Sequence, residues 1–87
     1  MNLNQQVANN IRDLRRLKGY SQEAMSCMLG ISLNAYCNME RGNTKLTIEK
    51  LEIIATALET NIANIMNFPI NEIFPKIENS GGGGEKM

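Results

Sequence analysis

The chain has 87 residues, of which 43% are hydrophobic, and it carries nine basic and nine acidic side chains. This length allows one small domain, and the apolar fraction excludes a disordered chain. No apolar run approaches the ~18 residues that a membrane span needs. No charged segment precedes an apolar block at the N-terminus, so we expect a cytoplasmic protein without a signal peptide.

The charges are unevenly distributed along the chain. Residues 1–50 hold seven Lys and Arg against four Asp and Glu, whereas residues 51–87 hold two against five. A basic half suits contact with phosphate, and the acidic half is expected to face away from it. Cys27 and Cys37, with no histidine in the chain, do not favour a metal site, and we expect two free thiols and no cofactor.

The first predicted helix covers about Asn4–Lys18 and is ended by Gly19. The basic side chains in its last turns interact favourably with the negative end of the helix dipole. For Arg12 and Arg16, both a solvated position and a functional role remain open. Apolar residues at helical spacing form its predicted core face: Leu3, Val7, Ile11, Leu14 and Leu17.

The second predicted helix begins after the cap Ser21 and ends at Leu29, where Gly30 allows a tight turn. Met25, Met28 and Leu29 form its predicted buried face. Gln22 lies in the first turn, beside free N–H groups that suit a phosphate; a solvated side chain is the alternative.

A third predicted helix, Leu33 to about Arg41, follows the cap Ser32. Tyr36 and Met39 face inward, and we favour core filling over DNA contact for Tyr36. The outward residues are Leu33, Asn34, Cys37, Asn38 and Arg41. Asparagine is a poor helix former, but its amide can bind adenine through two hydrogen bonds, and a leucine can touch a thymine methyl.

The segment Gly42–Leu46 is predicted to be a loop. If the outward side of the third helix contacts DNA bases, Asn43, Thr44 and Lys45 are able to bind the flanking phosphates, which would fix the position of the protein on the duplex without reading its sequence. An ordinary solvated turn is the alternative for each of them.

Two further helices are predicted, Ile48 to about Leu58 after the cap Thr47 and Ile62 to Met66 after the cap Asn61. The apolar stripe of the first comprises Ile48, Leu51, Ile54, Ala55 and Leu58. No alternating strand pattern occurs in residues 1–66, so we predict an all-α, compact five-helix bundle over residues 1–67.

The last part of the chain is predicted to be an apolar extension, residues 68–77, and a flexible Gly-rich tail, residues 78–87. The extension contains two prolines and several large apolar side chains, which must pack on the same domain or on a partner. Both of these alternatives, a cap on the chain's own core and a contact with a partner, remain open for residues 68–77.

The order Ser21-Gln22, then Met25, then Leu29-Gly30-Ile31-Ser32, then Glu40-Arg41-Gly42 resembles the helix-turn-helix of the phage-repressor (Cro-like, XRE) family. The resemblance extends from Ile11 to about Met66. It implies a fold of the lambda-repressor type, with the third helix in the major groove of double-stranded DNA and with dimers that bind two half-sites. Since members of the family often form dimers through the fifth helix, the resemblance implies that residues 62–77 contribute to a homodimer interface; a cap on the chain's own core is the alternative.

The resemblance also implies roles for single residues. It implies a structural ion pair between Arg15 and Glu40, and contact of Gln22 with the DNA backbone. Departures from the family pattern occur at Met25, Ser26, Leu33, Tyr36 and Leu46. With the residues chosen above, the predicted base readers are Leu33, Asn34 and Asn38, and the predicted backbone contacts are Gln22, Arg41, Asn43, Thr44 and Lys45.

The sequence thus predicts a non-enzymatic, sequence-specific DNA-binding transcriptional regulator, a repressor acting as a homodimer. No histidine, P-loop or nucleophile elbow indicates catalysis, and no small-molecule ligand is indicated. A protein-interaction module on the same fold, or an antitoxin whose tail binds a toxin, remains the alternative. A salt-dependent affinity for DNA separates these functions.

Overall fold

The computed structural model of the protein describes residues 2–68, which form five helices and no strand. The helices are α1 (Leu3–Lys18), α2 (Gln22–Leu29), α3 (Leu33–Glu40), α4 (Ile48–Ala57) and α5 (residues 62–68). The predicted all-α, five-helix fold is confirmed. The predicted extension and tail lie outside the described residues, apart from Phe68. Within residues 2–68 no helix combines the length and the apolar character needed to span a bilayer.

Local hydrogen bonds explain where the helices begin and end. The side-chain oxygens of the four predicted caps each accept from the main-chain N–H three residues ahead, at 2.8 to 3.1 Å: Ser21, Ser32, Thr47 and Asn61. Asn2 caps α1 in the same way at 2.7 Å, so α1 begins one residue before the predicted start. Gly19 and Gly30 end α1 and α2 in the left-handed conformation, with φ of +82° and +70°.

The core lies between one face of each helix. Tyr36, Ile11, Met25, Leu58 and Ile65 are its largest fully buried side chains. The remaining buried apolar residues of this core are Val7, Ala8, Leu14, Met39, Leu51, Ile54 and Ala55. Since Tyr36 occupies the centre of the core, the prediction that its ring fills space is confirmed.

The prediction of a core position is wrong for four residues, whose side chains are exposed: Leu3 at 65%, Leu17 at 67%, Met28 at 46% and Ile48 at 71%. Leu17 lies about 120° around the helix from Ile11 and about 60° from Leu14, which places it beyond the edge of the buried stripe. Leu3 and Ile48 lie in the first turns of α1 and α4, and residues 47–50 are all exposed. The core ends before it reaches these turns.

In α2 the buried face is rotated toward Ser26, which is buried in place of Met28. A small residue lets α2 approach its neighbours closely, and a methionine at the same position would require more space. The Ser26 hydroxyl donates to the Glu23 carbonyl at 2.7 Å, so the polar group is satisfied within its own helix.

Asn10 connects α1 to the end of α5. Its buried side-chain amide donates to the Ile65 carbonyl at 3.0 Å and, more weakly, to the Met66 carbonyl at 3.4 Å. The residue four positions after Ile65 is Pro69, which has no backbone N–H to offer that carbonyl. Asn10 therefore supplies a donor that the helix itself lacks.

Candidate nucleic-acid interface

The helix α3 has two distinct faces. Tyr36, Met39 and Glu40 are buried and attach the helix to the core. On the opposite side Asn34 is exposed and Asn38 is half-buried. Leu33, seven residues before Glu40 and so nearly in line with it, is 46% exposed in the first turn of the helix. Of the three predicted base readers, Asn34 and Asn38 thus lie opposite the buried face, and Leu33 lies at the border of that face beside Asn34 in the first turn.

The side of α3 opposite the buried face offers hydrogen-bonding groups, and Leu33 at the border offers an apolar side chain. Each asparagine amide carries both a donor and an acceptor, as the adenine edge in a major groove does. Asn38 also accepts a hydrogen bond from the exposed Arg41 guanidinium, at 3.3 Å, so these two side chains meet at the C-terminal end of the helix. Eight residues span about 12 Å, which is similar to the width of the groove.

A buried polar network fixes α3 to the two preceding helices. Arg15 on α1 donates from Nε to Oε2 of Glu40 at 2.6 Å, and its Nη1 donates to the Tyr20 carbonyl at 2.7 Å. The Tyr36 hydroxyl donates to the same Oε2 at 2.6 Å, and Gln22 Nε2 on α2 donates to Oε1 at 3.0 Å. One carboxylate thus receives donors from three helices.

The network determines the charge states of its members. Burial pushes the pKa of Glu40 upward, but hydrogen bonds from Arg15, Tyr36 and Gln22 outweigh this effect and hold the pKa below its ordinary value. The hydrogen bond to Glu40 raises the pKa of Arg15 despite burial. Burial, followed by the adjacent carboxylate, raises the pKa of Tyr36. Glu40 is therefore a carboxylate and Tyr36 a neutral donor at neutral pH.

Gln22 lies at the first turn of α2, as predicted, but its amide is already engaged by Glu40. The side chain is half-buried. One N–H of the amide and its oxygen stay available, so contact with a DNA phosphate is compatible with the bond to Glu40. The same bond orients the amide before any ligand arrives.

The segment after α3 carries the other predicted backbone contacts. Arg41, Asn43 and Lys45 are exposed and Thr44 is half-exposed. Gly42 adopts a φ of +84°, a left-handed conformation that favours glycine, and turns the chain at this point. The structure therefore groups the predicted backbone contacts Arg41, Asn43, Thr44 and Lys45 in one short segment at the C-terminal end of α3, whereas Gln22 lies on α2.

Sequence reasoning missed Asn4 and Asn10, which are polar residues on or beside the buried face of α1. Asn4 binds three main-chain groups of the segment 42–46, and Asn10 binds α5. A detectable signal exists, because Asn4, Val7 and Ile11 share helical spacing. A polar residue within an apolar stripe needs a hydrogen-bond partner elsewhere in the fold.

The described residues offer little for other chemistry. Cys27 and Cys37 are free thiols. Within residues 2–68 no group of three histidine, cysteine or acidic side chains is placed to hold a metal ion. The distinctive feature of this surface is thus the polar side of α3 with the segment that follows it.

Comparison with known proteins agrees with this geometry. The model of a helix-turn-helix family, HTH_3, matches residues 11–65. An HTH-type transcriptional regulator of Bacillus subtilis strain 168, YazB, is 34% identical over 65 residues, which is 75% of this chain and 83% of that protein. The chain belongs to the HTH_3 (XRE-type) family of DNA-binding helix-turn-helix transcriptional regulators.

Solved structures show the same fold. The clp gene regulator ClgR of Corynebacterium glutamicum superposes with a TM-score of 0.75 at 20% identity, over 82% of this chain and 91% of that one. A mutant of the restriction-modification controller protein C.Esp1396I gives a TM-score of 0.72 at 28% identity, over 85% and 94% of the two chains. An HTH_3 family transcriptional regulator of Vibrio cholerae gives 0.69 at 28% identity, over 82% of this chain and 39% of that one.

Proposed function

We propose that this protein is a sequence-specific repressor of transcription that binds double-stranded DNA as a homodimer and reads the major groove with α3. The observation that carries the proposal is the exposed polar side of α3, opposite a face that Tyr36, Met39 and Glu40 hold in the core. In this proposal Leu33, Asn34 and Asn38 contact base edges. A helix that served only the core would have no need of two outward asparagines.

The proposed phosphate contacts surround this reading surface. Arg41, Asn43, Thr44 and Lys45 follow α3 directly, and Gln22 lies at the start of α2. Contacts of this kind set the position of a protein on the duplex and supply most of its salt-dependent affinity. The buried carboxylate of Glu40 supports the arrangement, since it joins the helix that bears Gln22 to α3.

We propose further that residues 62–77 contribute to the dimer interface of the domain formed by residues 1–67. Support comes from the large apolar residues Ile70, Ile73, Phe74 and Ile77 of the sequence, which need a covering surface. The apolar residues of α5 itself, Ile62, Ile65, Met66 and Phe68, already pack on the chain's own core. Residues 69–77 lie outside the described part of the chain. A two-fold dimer would present two α3 helices to half-sites about one turn of DNA apart, in the cytoplasm where the DNA lies.

A second function is favoured by a different observation. Met28, Ile31 and Ile53 are exposed at 46%, 40% and 57%, and Ile53 lines two adjoining grooves at the junction of α2 and α4. A surface of this kind suits a protein partner, as in an interaction module or an antitoxin. The net charge of zero agrees with this alternative as well.

Selection of bound duplexes from a random DNA pool tests the proposal. The expected result is one enriched motif with two-fold symmetry, bound with an affinity that falls steeply as salt increases. A scrambled duplex of the same length is the control for non-specific binding. If no sequence is enriched and no duplex is bound at low salt, the repressor proposal is wrong and the interaction module becomes the better hypothesis.

A further inference from the structure

The side chain of Asn4, in the first turn of α1, is bonded to the segment that follows α3. Its Oδ1 accepts from the Leu46 N–H at 2.7 Å, and its Nδ2 donates to the Thr44 carbonyl at 3.0 Å. A longer bond runs from Nδ2 to the Gly42 carbonyl at 3.4 Å. A single amide thus holds a stretch that has no helix or strand of its own.

The two shorter bonds lie on either side of Lys45. Because Thr44 and Leu46 are held inward at their main chain, the residue between them is presented outward, and Lys45 is exposed. The Lys45 carbonyl also accepts from Lys50 Nζ at 3.3 Å. The main chain on both sides of this lysine is therefore fixed, while its ammonium group stays in solvent.

The neighbouring Gln5 also lies against this segment. Its side-chain amide lies against Gly42, so closely that a Cβ at this position would overlap it. Gly42 has a φ of +84°, which favours glycine independently of the available space. The first turn of α1 thus determines the path of the chain where it leaves α3.

We infer that Asn4 is a positioning residue for DNA binding, because it holds the segment 42–46 so that Lys45 and its neighbours meet the phosphate backbone. The inference rests on the proposed function. Without the bonds of Asn4 the segment is no longer held where Lys45 meets a phosphate, so the contact, and the release of counterions that goes with it, is lost. A phosphate contact carries no sequence information, so the effect of Asn4 is equal on all duplexes.

The variant Asn4→Ala tests this role. Binding to cognate and scrambled duplexes is expected to weaken by the same factor, about threefold to tenfold, and the salt slope is expected to fall by about one. Lys45→Ala should give the same change of slope. The double variant should then lose little more than either single variant, because both substitutions remove the same contact. Gln6→Ala, at an exposed site on α1, is the matched control.

Amide hydrogen exchange supplies the structural readout. In Asn4→Ala the Leu46 amide should exchange faster, while amides within α3 keep their protection. If the alanine variant does not fold, Asn4→Ser, which stays polar but is too short to reach the segment, replaces it. The inference would be overturned if the Leu46 amide lost its protection while the salt slope of DNA binding stayed the same. It would also be overturned if Asn4→Ala weakened binding to the cognate duplex alone. If the unaltered chain binds no duplex at all, the proposed function fails first and the role of Asn4 with it.

Discussion

The Tyr36 hydroxyl donates to Glu40 Oε2 at 2.6 Å, one turn further along α3, with both side chains buried. The ring fills the centre of the core and the hydroxyl satisfies a buried charge. Tyr36 therefore stabilises both the apolar and the polar contacts that hold α3. An ordinary core aliphatic residue would supply only the first of these.

The variant Tyr36→Phe separates the two contributions. It keeps the ring and removes only a hydrogen bond to a charged group, so we expect the free energy of unfolding to fall by about 1.5–3 kcal/mol. Urea unfolding followed by circular dichroism measures this change. Tyr20→Phe, at a half-buried tyrosine outside the network's side chains, is the control and should change stability little. Equal stabilities of Tyr36→Phe and the unaltered protein would contradict the proposed coupling.

Glu40→Gln is expected to change how stability depends on pH. The carboxylate has a pKa below its ordinary value of 4.5, so its stabilisation is complete above pH 4.5 and is lost as the pH falls through the lower pKa of the folded state. At pH 7 the variant leaves Arg15 buried without its charged partner, at a cost of about 3 kcal/mol.

Unfolding free energies measured between pH 7 and pH 3 check this prediction. The difference between the unaltered protein and Glu40→Gln should be largest at pH 7 and should shrink toward pH 3. Glu52→Gln, at an exposed position of α4, supplies the matched control. A difference that stays constant over this range would show that the Glu40 carboxylate does not titrate at a lowered pKa.

Asn10→Ala is predicted to destabilise the attachment of α5. The substitution leaves the Ile65 carbonyl without its donor, and an unsatisfied buried group costs about 1–3 kcal/mol. Amide exchange should show the loss first in residues 62–68, before α1 and α3 respond. Gln6→Ala, exposed on the same helix, should leave both readouts unchanged. Uniform exchange changes across the chain would argue against a local role for Asn10.

Substitutions in α3 and in the segment that follows it should affect DNA binding in different ways. Asn34→Ala or Asn38→Ala is expected to cost about 1–3 kcal/mol on the selected DNA sequence and little on scrambled DNA. Lys45→Ala should weaken binding to every sequence and lower the salt slope by about one. Titrations at several salt concentrations measure both effects. An equal loss on all sequences for the asparagine variants would remove them from the set of base readers.

A chain that ends at Asn67 tests the proposed dimer interface. If the extension forms the interface, the shortened chain should elute as a monomer where the full chain elutes as a dimer. A chain that ends at Ile77 lacks only the Gly-rich tail and should behave as the full chain does. Dimers of the shortest chain would show that the extension is not needed for association.

Much of the fold follows from local sequence signals. Ser21, Ser32, Thr47 and Asn61 cap their helices as predicted, and Gly30 makes the expected turn. Each of these features involves residues within one or two turns of one another, so neighbouring positions in the sequence are sufficient to specify them. The same holds for the central part of the apolar stripes.

The errors arise where a residue's environment depends on distant parts of the chain. Helical spacing places Leu17 and Met28 near a core face, but only the packing of the described helices shows that both side chains remain exposed. Asn4 and Asn10 were missed for the same reason, since their partners lie about 40 and 55 residues away. Helical periodicity predicts the face of the helix on which a side chain lies, but it does not predict which residues pack against that side chain.

The sequence by itself determined the helices, their caps and, through its resemblance to a family, the surface expected to meet DNA. Only the tertiary structure decided that Asn4 fixes the segment after α3 and that Gln22 is oriented by Glu40. The physical reason is range: caps and turns are satisfied by adjacent residues, whereas a buried amide or carboxylate takes its partners from whichever helix lies beside it.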